Sequence, residues 1–169
     1  MSSKPDTQDD SAGGEAELLR QEQVELEWFG HDEAWELGVW LRDRLVSDGT
    51  VGAVAVYLGD QRAFVGSVSG SSSDLDLWLD RKARTVRIWG HSSLWVKQHF
   101  GRLDPDFASR VLQDSRQIAA AGGGFPIRIR GAIVGVACCS GWTEEGEHGL
   151  AFEAVHTMAK RQQLKRTRE

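Results

Sequence analysis

Three groups of residues in this chain have types and spacings that could do chemistry at one place. Gly122-Gly123-Gly124 leads into Phe125-Pro126-Ile127. Ser140-Gly141-Trp142 ends an apolar run, and Glu147-His148 follows a short acidic stretch. In that order, backbone amides, a hydroxyl and an imidazole fall at one end of a sheet. Amides and hydroxyls hold polar ligand groups, and an imidazole ligates metals or moves protons. The triplet is no phosphate loop, because Gly-x-Gly-x-x-Gly must open a helix and here a strand pattern follows. It reads as a helix C-cap and turn whose glycines let a ligand approach the backbone closely.

The other reactive types narrow the chemistry. Of the five histidines, His91 and His99 stand eight apart, as do His148 and His156. On one helix that spacing is roughly 12 Å of rise, so neither pair shares one ion. No paired-His or C-x-x-C zinc set is present. A single imidazole can still serve as an axial ligand to haem iron, and His148 is the best placed for it. The alternative for His148 is a helix-start residue bonding a carboxylate such as Glu144, and both readings stand. Ser92-Ser93 and Ser140 lie outside any Gly-x-Ser-x-Gly elbow, which leaves a serine hydrolase unsupported. Arg81-Lys82-Ala83-Arg84 could pair with ligand carboxylates, or equally with Asp76, Asp80 or a neighbouring subunit.

Composition sets the class. The 169 residues, with 40% hydrophobic and 27% charged side chains, are those of one soluble globular domain with tails. A net charge of −5 argues against a nucleic-acid protein. Lys160, Arg161, Lys165, Arg166 and Arg168 make a basic end, read as a solvated helix terminus. The two cysteines, Cys138 and Cys139, are neighbours in one strand and so point to opposite faces. Two reduced thiols and no apolar leader or membrane span point to a cytoplasmic protein. Seven Trp are many for this length and suit either core packing or an interface.

The elements that must position these groups follow from periodicity. Residues 1–14 read as a disordered tail, 15–160 as one domain and 161–169 as a basic tail. A short helix near 15–21 precedes an alternating stretch at 24–29, read as an edge strand. Asp32 is the expected N-cap of a helix to about Val46. Residues 51–58 read as a central strand with 62–68 as its hairpin partner. Residues 71–101 read as one long helix with a possible break at Gly90. A Pro105-initiated helix is expected to end at the glycine triplet, followed by a β-hairpin and a last helix over 145–163. Strands paired as hairpins favour an α+β fold, an antiparallel sheet with helices packed on it.

The runs from Asp76 to Val86 (with W-x-x-R-K), His91-Ser92-Ser93, Gly123-Gly124-Phe125-Pro126-Ile127, Ser140-Gly141 and Glu147-His148 resemble the haem-degrading-domain superfamily. That superfamily includes HbpS-like and GlcG-like proteins. The similarity covers about Leu18 to Met158 and is greatest to a cytoplasmic, largely uncharacterised subgroup. The resemblance implies a profilin-like α/β (α+β) domain, with a central antiparallel sheet and flanking helices, that assembles into oligomers. It further implies haem as a cofactor in some members and a ligand site at Arg81, Lys82, Arg84, Ser92, Ser93, Gly123, Gly124, Phe125, Pro126, Ser140, Gly141, Trp142 and His148, the last as iron ligand. Three departures bear on it. Ala119-Ala120-Ala121 stands where many relatives place a His before the glycines, Trp142 where a Leu follows Ser-Gly, and Glu147 where an Asp precedes His. Three functions remain in view: haem or tetrapyrrole binding in a homo-oligomer, a non-enzymatic scaffold or small-metabolite module, and an enzyme on a small organic acid. None involves nucleic acid or a membrane.

Overall fold

The two most continuously apolar runs, β1 (Ala53–Leu58) and β4 (Ala132–Ser140), lie side by side in the middle of a four-stranded sheet. The structure is a computed structural model and describes residues 10–114 and 117–167. β2 (Gln61–Ser67) and β3 (Gly124–Ile129) are the edges, in the order β2-β1-β4-β3, and every pairing is antiparallel. Central strands of such composition need cover on both faces. Alternation divides their side chains accordingly. Val54, Val56, Ala137 and Cys139 join one core cluster, and Ala55, Tyr57, Val136 and Cys138 join the other. α2 (His31–Ser47) and α6 (Glu144–Arg166) cover the first face, and α3 (Asp74–Trp89) covers the second. The result is the expected α+β fold in three layers.

The helices depart from the expected boundaries for local reasons. α1 (Asp10–Gln21) starts within the stretch read as a tail, while residues 1–9 and 168–169 of the two tails lie outside the described residues. Gly30, not Asp32, caps α2, and its N–H donates to Glu33 Oε2 at 2.9 Å. The long helix is two helices. Gly90 takes a left-handed conformation (φ 72°), and α4 (Ser93–Leu103) restarts behind Ser92, whose hydroxyl accepts from the Trp95 N–H at 3.2 Å. α5 (Phe107–Asp114) ends well before the glycine triplet, so the triplet is not its C-cap.

The alternating stretch at 24–29 is not a strand. Its Leu26 N–H reaches Arg128 O on β3 at 2.8 Å, but the ladder goes no further. The buried Gln162 of α6 takes the next groups instead. Its Oε1 accepts from Glu27 N at 2.8 Å and its Nε2 donates to Trp28 O at 2.9 Å. One side chain thus satisfies backbone groups that a paired strand would otherwise have to meet.

Candidate functional site

Lys82 faces inward from the middle of α3, towards the far end of β4. Its ammonium donates to Cys139 O at 2.9 Å, to Ser140 Oγ at 3.4 Å and to Glu147 Oε2 at 2.6 Å. Glu147 lies in the first turn of α6, where an acid favours the positive helix end. Its other oxygen, Oε1, accepts from Gly141 N at 2.7 Å and Trp142 N at 3.0 Å. The ion pair therefore pins the turn leaving β4, in which Gly141 adopts φ 133°. Thr143 caps α6 by accepting from Gly146 N at 3.3 Å.

This network floors a cleft of about 320 Å³ between α3, α4, α5 and the 140–147 turn. Leu75, Trp78, Leu112 and Trp142 supply apolar wall, while Ser140, Ser109 and the Lys97–Glu144 pair supply polar edge. Trp142 fits because glycines flank it. An added Cβ would meet the indole at 2.8 Å from Gly52 and 2.6 Å from Gly146. Trp78, Lys97, Ser109 and Glu144 were not among the expected ligand residues. Trp78 could have been, since it opens the W-x-x-R-K run.

The structure gathers only part of the expected ligand set at this cleft: Lys82, Ser140, Gly141 and Trp142 line it. Arg81 lies over the Trp78 ring at 5.6 Å, and Arg84 bonds Gln117. Asp76 and Asp80 pair with Arg62 instead. Ser92 caps α4, and buried Ser93 Oγ accepts from Gly124 N at 2.8 Å. Phe125 and Pro126 are buried in β3, an edge strand that tolerates a proline. The glycines leave no space for a ligand, contrary to the sequence expectation. A Cβ on Gly122, Gly123 or Gly124 would meet Glu144 O at 2.2 Å, Cys139 O at 2.3 Å or Lys82 O at 3.0 Å.

His148 lies away from the cleft. Its ring packs edge-on to Phe125 at 5.7 Å, its Nε2 is 2.7 Å from Gln21 Oε1, and Nδ1 is buried with no described partner. Burial lowers its pKa to about 4. It does not bond Glu144, which pairs with Lys97. Among the described residues no three His, Cys, Asp or Glu side chains form a metal-ligand set, and no helix is long and apolar enough to cross a membrane.

Comparison with known proteins places this geometry. A UPF0303 protein of Psychromonas ingrahamii is 32% identical over 146 residues, 85% of this chain and 92% of its own length. The crystal structure of Ybr137w protein superposes with a TM-score of 0.74 at 25% identity, covering 87% of this chain and 88% of that one. A PduOC:heme complex shares the fold, with a TM-score of 0.61 at 12% identity over 77% of this chain and 94% of that one. The family model for haem degrading protein HbpS-like matches residues 29–156, a span that contains both partners of the buried ion pair and most of α6. This chain belongs to the HbpS-like family of haem-degrading proteins.

Proposed function

We propose that this chain binds haem as an assembly of identical copies in the cytoplasm. The observation that carries the reading is the match of residues 29–156 to the HbpS-like family model, while the polar groups beside the Ser140 cleft bear only on whether that cleft is catalytic. All three Lys82 contacts and both Glu147 oxygens are engaged within the protein. Ser140 Oγ accepts from Lys82 and has no adjoining base. General acid–base or nucleophilic catalysis needs such a free group within reach of the substrate. The haem part of the reading is supported by the family and by the fold shared with a protein solved as a haem complex.

The cleft itself does not fit haem iron. Protein ligands to haem iron are His, Cys, Met or Tyr, and none lines it. His148 is closed off by Gln21 and its burial. The cleft instead suits a smaller molecule with an apolar body and a hydroxyl-bonding head, which favours small-metabolite binding as a second reading. Assembly is supported by apolar surface left in water, chiefly Trp35 at 62% and Trp28 at 41% exposure.

Hemin titration with absorption spectra and light scattering tests the reading. The expected result is a saturable, shifted Soret band on an assembly several times the 18.7 kDa chain mass. A flat titration on a stable oligomer would leave the small-metabolite reading, and a clean monomer would remove the assembly.

A further inference from the structure

We infer that the iron-ligating site is the groove between residues 23–27, the β3–β4 turn and α6, with His156 as the axial ligand and Arg130 and Lys160 holding the carboxylates. The inference rests on the haem-binding reading above. The chain has five imidazoles. Four have a described partner: His31 with Gln61, His91 with Glu22, His99 with Glu15 and His148 with Gln21. His156 is the one without, and its ring lines a groove of about 550 Å³, larger than the Ser140 cleft. Phe152 stacks on that ring at 5.3 Å and 12°, which restrains its plane. One oriented imidazole in a cleft is the arrangement that haem iron uses.

The groove also supplies what a tetrapyrrole's carboxylates need. Arg130 and Lys160 line it, and neither has an ion-pair partner among the described residues. Guanidinium and ammonium groups are strong donors to carboxylates. Arg130 is the only described non-glycine residue with positive φ, at 50°, beside Gly131 at 80°. Two-residue hairpin turns of this kind favour Asn-Gly, because both positions are left-handed and a long side chain such as that of Arg tolerates this less well than Asn or Gly. The strain is held by Glu25, whose Oε1 accepts from Gly131 N at 2.6 Å. Strained non-glycine residues concentrate at ligand sites, where the surrounding structure over-determines them. The two acids of the groove are already engaged, Glu25 by that bond and Glu27 by Arg166 at 3.1 Å. Val24 and Ile129, both partly exposed, give the apolar surface a macrocycle would cover.

The test compares the full-length wild type with His156→Ala, His148→Ala and Arg130→Ala/Lys160→Ala, each checked for an unchanged Tm. Hemin and iron-free protoporphyrin IX are the probes, read by Soret position and by Trp fluorescence quenching. His156→Ala should lose the wild-type Soret position and weaken hemin binding about tenfold or more. Added imidazole should restore the spectrum, and protoporphyrin binding should stay unchanged. The double variant should weaken both probes several-fold. A wild-type spectrum and affinity in His156→Ala, or their loss in His148→Ala alone, overturns the assignment while leaving haem binding intact. A wild type that takes up no hemin overturns the haem-binding reading, and this assignment with it.

Discussion

Lys82 Nζ and Glu147 Oε2 meet at 2.6 Å with their side chains only 3% and 5% exposed, joining α3 to the first turn of α6 across the end of β4. Removing one member of such a pair strands the other charge in a dry interior, at a cost of about 3–5 kcal/mol. Lys82→Met and Glu147→Gln are each expected to lower stability by that order, read from urea unfolding. Lys82→Met/Glu147→Leu should recover a large part of the loss. Recovery stays incomplete because Glu147 also accepts from the Gly141 and Trp142 amides. Single variants within 1 kcal/mol of wild type would show that water reaches the pair.

His148 gives the protein a defined acid sensitivity. Unfolded, the ring takes up a proton near its ordinary 6.5, and folded, burial defers this to about 4. The unfolded state therefore binds more protons throughout that interval. Stability is full above about pH 6.5 and declines towards pH 4, by about 3 kcal/mol in all from this one group. His148→Gln, which removes the titration and keeps a polar partner for Gln21, should flatten the slope of urea midpoint against pH. An undiminished slope in that variant would assign the acid sensitivity to other groups.

Cys138 and Cys139 are wholly buried, each in a different core cluster, so they are free thiols that face away from one another. Burial pushes the Cys138 thiol up to about 12 and Cys139 well above its usual range. Reactivity needs thiolate and access, and both are withheld. A chromogenic disulfide reagent should therefore find no thiol in the native protein and two per chain in denaturant. Rapid reaction of either thiol without denaturant would mean that the sheet opens locally.

Much of this architecture is legible in the residues themselves. The apolar runs of β1 and β4 announce the central strands, and the adjacent cysteines announce opposite faces. The reading failed where a distant side chain decided a local outcome. Gln162 lies 135 positions from Glu27, yet it takes the backbone groups that the alternating pattern would have spent on a ladder. Lys82 looked like a ligand-binding cation beside Arg81 and Arg84. Its partner Glu147 is 65 positions away, and only the fold brings them together. His148 and His156 share one helix and the same kind of spacing to their neighbours. Periodicity cannot say which of them meets Gln21 and which meets open space. The motif positions Ser92, Ser93, Gly123 and Gly124 serve as joints of the scaffold: a helix cap, a hydrogen bond and close backbone contacts.

The seam of Gly122, Gly123 and Gly124 makes one side of the neighbouring cleft stiff. Each glycine abuts main chain of a different element, at Glu144, Cys139 and Lys82. The side of the cleft that continues through Ala120 and Ala121 is thus backed by peptide groups keyed to peptide groups, with no rotamers to exchange. A guest that met this wall would find a surface already in place, with no rotamer to reorder.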